Sequence, residues 1–481
     1  MADIRYVCLS DMHLGEEDSL LTDLQQGSTD IDPLNASPVM KQLVECIKHL
    51  VSQISPKPAL ILNGDILEMA LSTVNEAAMV FERFIELIMP DGDPLFEKII
   101  YIPGNHDHHL WETAREIQYA NYIENRTEPA QRLQTPWHTT EMFFENDTPK
   151  VDSYFLTKLV QRYEHLEDFK IHVAYPNFGL FNESNQKSVI FHHGHYIESL
   201  YHLMSTLKGM IFPDQKRKLK NMEIKELEAE NFAWIDFFWS AMGRSGAAGK
   251  DVEIIYESLN DPKARKKLLR NLANGLADVI DIPILTEAME ARAMEKLLVF
   301  FANKFAGTEK LQTEQLLSET VRQGLVNYMI GPLKKQLLKE RSDDMPYEVT
   351  FVIGHTHKPF EEDWDEMGYS GYPQWVNIFN TGGWVVESEK VQPKHGGSVV
   401  LVDEDLNTVA LRMYNEAKRP EDFSVQLKDA THPNQPPNPL FTQISQQVNF
   451  ADDPWRNFSS RVYEELRIRR ANLYQRINIR D

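Results

Sequence analysis

The chain is poor in cysteine, with only Cys8 and Cys46 among its 481 residues. This scarcity excludes a framework of disulfides and favours a reducing compartment, so we expect a cytoplasmic protein. Long apolar runs are also missing. The most aromatic stretch, residues 232–242, contains Asp236 and is far shorter than the roughly 18 residues that a membrane span needs. The N-terminus shows no basic region followed by an apolar one, so the sequence predicts neither export nor a transmembrane segment.

Basic residues are scarce too, with 50 Lys and Arg against 72 Asp and Glu and a formal net charge of -22. Such a charge disfavours non-specific attraction to nucleic acid or to an anionic membrane, and no strong nucleic-acid signal is present. The hydrophobic share of 42% and the charged share of 25% are instead typical of a folded globular protein. Since the chain is too long for one simple core, we expect a catalytic domain and at least one further unit.

Short apolar segments rich in β-branched and aromatic residues each stop at a polar cluster that contains glycine. The five clusters begin at Asp11, Asn63, Gly104, His192 and Gly354. Residues 39–54 and 72–89, which lie between or after the first strands, show helical periodicity. This alternation predicts an α/β fold with a mainly parallel sheet. Because loops at the carboxyl ends of parallel strands converge, we expect the five clusters to meet in space.

The strand signal disappears between residues 203 and 346, where long helical segments replace it. We therefore predict a catalytic domain in two parts, residues 1–202 and 347–414, interrupted by a large helical insertion at 203–346. Residues 415–481 are predicted to form a linker and a basic C-terminal helix. The insertion and this helix are the candidate surfaces for self-association or for a protein partner, with docking of the helix on its own chain as the default expectation.

The first two clusters contain residue types that bind metals. Asp11 and His13 stand one residue apart, so a single loop can turn a carboxylate and an imidazole towards one ion, a pair that suits manganese, iron or zinc better than calcium. Gly64 permits a sharp bend before Asp65, whose two oxygens can bind two different metals. Each cluster by itself is equally compatible with an ordinary turn.

The remaining clusters add neutral oxygen and imidazole nitrogen. Asn105 offers an amide oxygen to a metal, while His106 beside it can face a substrate. His355 and His357 flank one residue, so each can reach a different ion of a metal pair. The fourth cluster holds His192, His193 and His195. Several histidines at successive strand ends are hard to explain as core packing.

In this order, Asp-x-His, Gly-Asp, Gly-Asn-His-Asp, His-Gly-His and Gly-His-Thr-His resemble the calcineurin-like metallophosphoesterase superfamily over about residues 4–200 and 347–413. The resemblance implies an α/β two-sheet sandwich flanked by helices. It also implies one metal bound by Asp11, His13, Asp65 and His357, and a second bound by Asp65, Asn105, His193 and His355. His193 is preferred because the family ligand directly precedes the glycine, but the adjacent His192 stays open as an alternative.

The implied activity is dinuclear-metal-dependent hydrolysis of a small phosphoester, as a phosphatase or phosphodiesterase, with a metal-bridging hydroxide attacking phosphorus. Two divalent cations are expected, Mn²⁺ in the first place, with Fe, Zn and Mg as alternatives. His106 matches the family histidine that stabilises the phosphoryl group or protonates the leaving oxygen, and it is the expected catalytic residue.

The chain departs from the protein serine/threonine phosphatase subgroup, which carries Gly-Asp-x-x-Asp-Arg-Gly and Arg-Gly-Asn-His-Glu. Residues 64–68 and 354–359 look closer to the bacterial UDP-2,3-diacylglucosamine pyrophosphatase group, although those enzymes generally have Arg at the position of His106 and a much shorter insertion. A nuclease and a metal-stabilised protein-interaction scaffold are the alternative functions. The complete set of ligands favours an enzyme over a scaffold.

Overall fold

A computed structural model describes residues 3–126, 132–143, 150–236, 240, 315–364, 371–372, 376–432 and 434–478. The strands are β1 (Ile4–Leu9), β2 (Thr22–Leu24), β3 (Ile31–Ala36), β4 (Ala59–Asn63), β5 (Lys98–Ile102), β6 (Val151–Asp152), β7 (Ile171–Val173), β8 (Asn177–Asn182), β9 (Lys187–His192), β10 (Glu348–Ile353), β11 (Phe360–Trp364), β12 (Val376–Asn380), β13 (Gly396–Asp403), β14 (Thr408–Asn415) and β15 (Gln426–Lys428). The α-helices are α1 (Pro38–Val51), α2 (Val74–Ile88), α3 (His108–Glu124), α4 (Tyr154–Val160), α5 (Leu203–Ile211), α6 (Ile224–Ile235), α7 (Glu319–Tyr328), α8 (Lys334–Glu340), α9 (Pro439–Gln447) and α10 (Trp455–Asn478).

Two large sheets carry the polar clusters. The first has eight strands in the order β15-β14-β13-β1-β4-β5-β7-β6, and the second has five in the order β11-β12-β10-β9-β8. β1, β4, β5 and β7 pair in parallel, as do β9, β10 and β12. Three clusters therefore leave one end of the first sheet, and the other two leave one end of the second.

The two sheets pack face to face. Their shared core contains Ile61 and Ile100 from the first sheet and Phe191 and Val352 from the second. These strands are apolar on both faces because helices cover the opposite sides, as expected for parallel strands. Helices α1 and α2 belong to the core on the outer face of the first sheet, and α6 to α8 contribute to the core on the outer face of the second.

The layers confirm the prediction of an α/β two-sheet sandwich flanked by helices. The described parts of the predicted insertion, which include α5 to α8, are helical. Residues 241–314, the middle of that insertion, lie outside the described residues, and the predicted domain boundaries stay predictions. Among the described helices, none has both the length and the apolar character required to cross a bilayer.

Helix α10 packs on its own chain. Its Trp455, Phe458 and Val462 are buried in the core of the first sheet and its helices. Its arginines reach the segment that follows the first cluster, since buried Arg469 donates to the carbonyl oxygen of Thr22 and Arg476 pairs with Glu17 and Asp18. This face of the helix therefore docks on its own chain, which was the default expectation.

Replacing Phe458 by Ala should lower the free energy of unfolding by about 3 to 5 kcal/mol, because a fully buried ring leaves a cavity beside Trp384. Tyr474 lies on the same helix with 56% of its surface exposed, so Tyr474→Ala should change that free energy by less than about 0.5 kcal/mol. Urea unfolding of both variants measures the difference. Equal, small losses would show that the helix does not dock on this core.

Candidate metal centre

The predicted ligands lie on sharply bent backbone at the strand ends. Asp11, His13, Asp65, His355 and His357 all have positive φ, between 43° and 71°. Residues other than glycine rarely adopt this left-handed conformation, which costs about 1 to 3 kcal/mol each and occurs mostly at functional sites. Backbone hydrogen bonds stabilise the bends, since the amides of Asp11 and His13 donate to the carbonyl oxygens of Gly64 and Asp65, each at 2.9 Å.

These bends bring the predicted ligands together in two groups. The potential donor atoms of Asp11, His13 and His357 all lie within 4.8 Å of one another, and those of Asp65, His193 and His355 do the same. The Asp65 carboxylate also reaches the first group, because its Oδ2 is 3.7 Å from His13 Nε2 and 3.1 Å from His193 Nε2.

Asn105 completes the set of seven, with its Oδ1 3.1 Å from His193 Nε2. The structure therefore places all seven predicted residues at one buried location. Asp65 stands between the two groups.

Two glycines allow the close approach of these loops. A Cβ on Gly64 would lie 2.4 Å from the His193 ring, and a Cβ on Gly104 would lie 2.2 Å from Asp65 Oδ1. Side chains at either position would displace a predicted ligand.

Carboxylates and a carbonyl hold the far nitrogens of the imidazole rings. His13 Nδ1 lies 2.8 Å from Glu68, His357 Nδ1 lies 2.6 Å from Glu387, and His355 Nε2 lies 2.7 Å from Glu198. His193 Nδ1 is 3.2 Å from the carbonyl oxygen of Asn63. Metal-binding histidines almost always donate their second ring N–H in this way, which fixes the ring and leaves the other nitrogen for the metal.

The site contains buried polar atoms that fit a cation. Asp65 Oδ2 and His357 Nε2 are fully buried and make no well-aligned hydrogen bond, and they lie 3.1 Å from His193 Nε2 and 3.5 Å from Asp11 Oδ1. Leaving such groups unsatisfied normally costs about 1 to 3 kcal/mol, so their convergence needs a compensating ligand. Carboxylate, amide oxygen and imidazole form a donor set that suits a divalent transition metal.

The pKa values of the site also fit a bound cation. Burial by itself would lower the pKa of His193, but the charges of Asp65 and Asp11 outweigh it and raise this pKa to about 9. Burial would likewise raise the pKa of Asp65, yet His193 and His106 hold it well below the ordinary value. Positive charge is therefore favoured at this location, and the aspartates stay ionised to meet it.

His192 and His193 point to different surroundings. The His192 ring centroid lies 4.5 Å from that of Tyr328, and burial lowers its pKa well below the ordinary value. His193 faces Asp65 and Asn105 instead. Of this pair, only His193 is near the other predicted ligands.

His106 lies at the rim of the same group. Its backbone amide donates to Asp65 Oδ1 at 2.8 Å, and its Nδ1 lies 2.8 Å from Glu68 Oε2. The side chain of Asp107 supports this loop by accepting from the amides of Gly104 and Ile66, at 2.7 and 2.8 Å. His106 is 8% exposed, whereas Asp65 and Asn105 are completely buried.

Sequence reasoning missed the carboxylates that hold the rings. Glu68 could have been found, because it stands in the Gly-Asp-Ile-Leu-Glu segment only three residues after Asp65. Glu198 and Glu387 carry no such signal. Glu198 is 157 residues from His355 in the chain, so only the folded structure places the two together.

The family comparison agrees with this geometry. Residues 4–209 match the family described as Calcineurin-like phosphoesterase. This match assigns residues 4–209 of the chain to the calcineurin-like phosphoesterase family. The match covers the first four clusters, and β10 brings the fifth beside them. The predictions of this family and of a metal-dependent phosphoester hydrolase are confirmed.

Other comparisons add little to the calcineurin-like phosphoesterase assignment. None of the curated proteins matches the chain. Among solved structures, the crystal structure of Phosphopantetheinyl Hydrolase (PptH) from Mycobacterium tuberculosis is similar at 12% identity, covering 79% of this chain and 90% of that chain with a TM-score of 0.25. A TM-score this low carries no argument about substrate.

A buried charged network adjoins the centre. His108 Nε2 lies 2.9 Å from Glu228 Oε1, and its Nδ1 lies 3.5 Å from Asp236 Oδ1. Burial would lower the pKa of His108, but hydrogen bonds to Asp236 and Glu228 raise it to about 9. The folded protein therefore binds a proton more tightly at His108 than the unfolded chain does, where the pKa is about 6.5.

This difference predicts a dependence of stability on pH. The contribution of His108 is complete below about pH 6.5 and is lost as the pH rises through about 9, with a slope of at most about 1.4 kcal/mol per pH unit. Urea unfolding of the wild type between pH 6 and 9.5 should show this decline, and His108→Gln should make it shallower, because the contribution of His193 remains. His49→Gln, on α1 and outside the network, should keep the wild-type profile. A wild-type profile in His108→Gln would contradict the assignment.

Proposed function

We propose that the chain hydrolyses a small phosphoester with two divalent metal ions that share the Asp65 carboxylate. The position of Asp65 is the observation that carries this proposal, because its Oδ2 faces His13 on one side and His193 on the other. The proposed sets are Asp11, His13, Asp65 and His357 for one ion, and Asp65, Asn105, His193 and His355 for the other.

The ring contacts indicate which nitrogen each histidine would offer. Nε2 is the nitrogen proposed to bind in His13, His193 and His357, because Nδ1 faces a carboxylate or a carbonyl oxygen in each. In His355 the proposed nitrogen is Nδ1, because Nε2 lies 2.7 Å from Glu198. Two ions bound here would lower the pKa of water and neutralise phosphoryl charge during in-line displacement.

His106 is proposed to act on the phosphoester directly. Glu68 holds its Nδ1 and orients the ring, so that Nε2 can donate a proton to the phosphoryl or leaving oxygen. Burial by itself would raise the pKa of Glu68, but His106 and His13 hold this pKa well below the ordinary value, so Glu68 stays ionised. A positioned acid of this kind contributes about 10²- to 10⁴-fold to the rate.

We infer Mn²⁺ as the first metal to test, with Fe, Zn and Mg as alternatives, because mixed nitrogen and oxygen ligands suit these ions. Both cysteines are free and buried, which is consistent with a cytoplasmic location. The choice between monoester and diester, and the scaffold and nuclease alternatives, are left to the following experiments.

Asp65→Asn should reduce bound metal from two ions per chain to one or none and should abolish hydrolysis. The reason is that the neutral amide of Asn lacks the negative charge with which a carboxylate bridges two cations. Metal analysis after dialysis against Mn²⁺ measures the first effect. Hydrolysis of p-nitrophenyl phosphate, bis-p-nitrophenyl phosphate and single-stranded DNA by the wild type and the variant measures the second. The substrate that the wild type prefers separates phosphatase, phosphodiesterase and nuclease.

A matched control is Asp152→Asn, since Asp152 pairs with Lys170 and His172 away from the centre. It should keep two ions and full activity. A wild type that binds metal but hydrolyses none of these substrates with any divalent ion would support the scaffold function.

His106→Ala should lower kcat by about 10²- to 10⁴-fold while keeping both metals, because His106 is assigned to the phosphoester and not to an ion. The control His165→Ala changes a histidine whose Nε2 donates to the carbonyl oxygen of Met89, outside the centre, and should leave kcat unchanged. An unchanged kcat in His106→Ala would remove this residue from the mechanism.

A further inference from the structure

A single buried carboxylate of the helical insertion contacts three loops of the catalytic sandwich. Glu228, on α6, is completely buried. Its Oε1 lies 2.9 Å from His108 Nε2, and its Oε2 accepts from the hydroxyl of Tyr175 at 2.9 Å and from the hydroxyl of Tyr196. All three partners are themselves buried.

Two of these partners stand three residues after proposed metal ligands. His108 is three residues after Asn105 and begins α3, and Tyr196 is three residues after His193, in the short 3₁₀ turn His195–Ile197. The third partner, Tyr175, follows β7. Glu228 therefore connects the loop that carries Asn105 with the loop that carries His193.

The insertion also completes the N-terminus of α3. The N-cap residue Asp107 makes no side-chain cap, because its carboxylate accepts from the amides of Gly104 and Ile66. Ser240 instead accepts from the amide of His109 at 2.8 Å. Asp236, 3.1 Å from His109 Nδ1, places negative charge at this end, where the helix dipole favours it.

Because Glu228 is buried, its stability depends on its contacts with protein groups. A buried carboxylate is stable only when charged and polar partners compensate it, and removal of one partner leaves the others unsatisfied. The position of the α3 start and that of the turn at Tyr196 are thus coupled through the buried side chain of Glu228.

We propose that Glu228 is a positioning residue for the metal centre, by which the helical insertion sets the distance between the loops of Asn105 and His193. The inference rests on the proposed function, since these two residues are assigned to the same ion. It gives the insertion a specific role: the catalytic sandwich needs this helix to hold its second metal site in shape.

The experiment is a titration of metal-free full-length protein with Mn²⁺ alone, followed by calorimetry and by the electron paramagnetic resonance of bound Mn²⁺. Glu228→Gln keeps the volume but loses the charge. It should weaken one of the two Mn²⁺ sites by about 10- to 100-fold, the range found for residues that orient metal ligands, and leave the other site less affected. The spin coupling of the metal pair should decrease accordingly, and kcat should fall more than KM rises.

The matched control is Glu340→Gln. Glu340 lies in the same predicted insertion, on α8, and accepts from the amides of Met142 and Phe143 at 2.8 and 3.2 Å, away from both metal loops. This variant should bind both Mn²⁺ ions as the wild type does, whatever its loss of thermal stability.

Several outcomes would overturn the inference. Glu228→Gln with wild-type affinity at both sites would do so, even if its Tm were lower, because that result describes a purely structural residue. If Glu228→Gln does not fold, Tyr196→Phe decides, since it removes one hydrogen bond to Glu228 without a change of charge. Unchanged Mn²⁺ affinity in Tyr196→Phe would then contradict the proposal. A wild type that binds two Mn²⁺ ions without hydrolysis would defeat the proposed function alone, because the affinities still test Glu228.

Discussion

The convergence of buried charge on Asp65 is the constraint around which the calcineurin-like phosphoesterase sandwich is organised. This carboxylate is fully buried at the ends of the two sheets, where its ionised form is sustained by His193 and His106. Its Oδ1 accepts a hydrogen bond from the backbone amide of His106, and its Oδ2 lies between the rings of His13 and His193. Strained backbone and closely approaching glycines surround it, and such costs persist only where the rest of the fold compensates them.

The arrangement also explains why both sheets are needed. β1, β4 and β5 deliver Asp11, His13, Asp65 and Asn105, whereas β9 and β10 deliver His193, His355 and His357. Face-to-face packing of the two apolar surfaces brings the two sets within ligand distance.

Around the proposed ligands, carboxylates form a surrounding layer that orients the rings. Glu68 serves both His13 and His106, and therefore links a metal ligand with the proposed acid. Glu228 extends this layer into the helical insertion through His108 and Tyr196. The insertion is thus continuous with the centre in its hydrogen bonding, although it follows the fourth cluster in the chain.

The sequence by itself determined the α/β class, the strand ends and, through the family resemblance of its motifs, six of the seven proposed ligands, because apolar periodicity and adjacent motif residues are local signals. It left His192 and His193 as alternatives, and the orientation of each ring depends on the Asn63 carbonyl, Asp65 and Tyr328, which are remote in the chain. The roles of Glu198, Glu387 and Glu228 were likewise decided only by the tertiary structure. Their contacts join residues that are far apart in sequence, so no periodicity or spacing could reveal them.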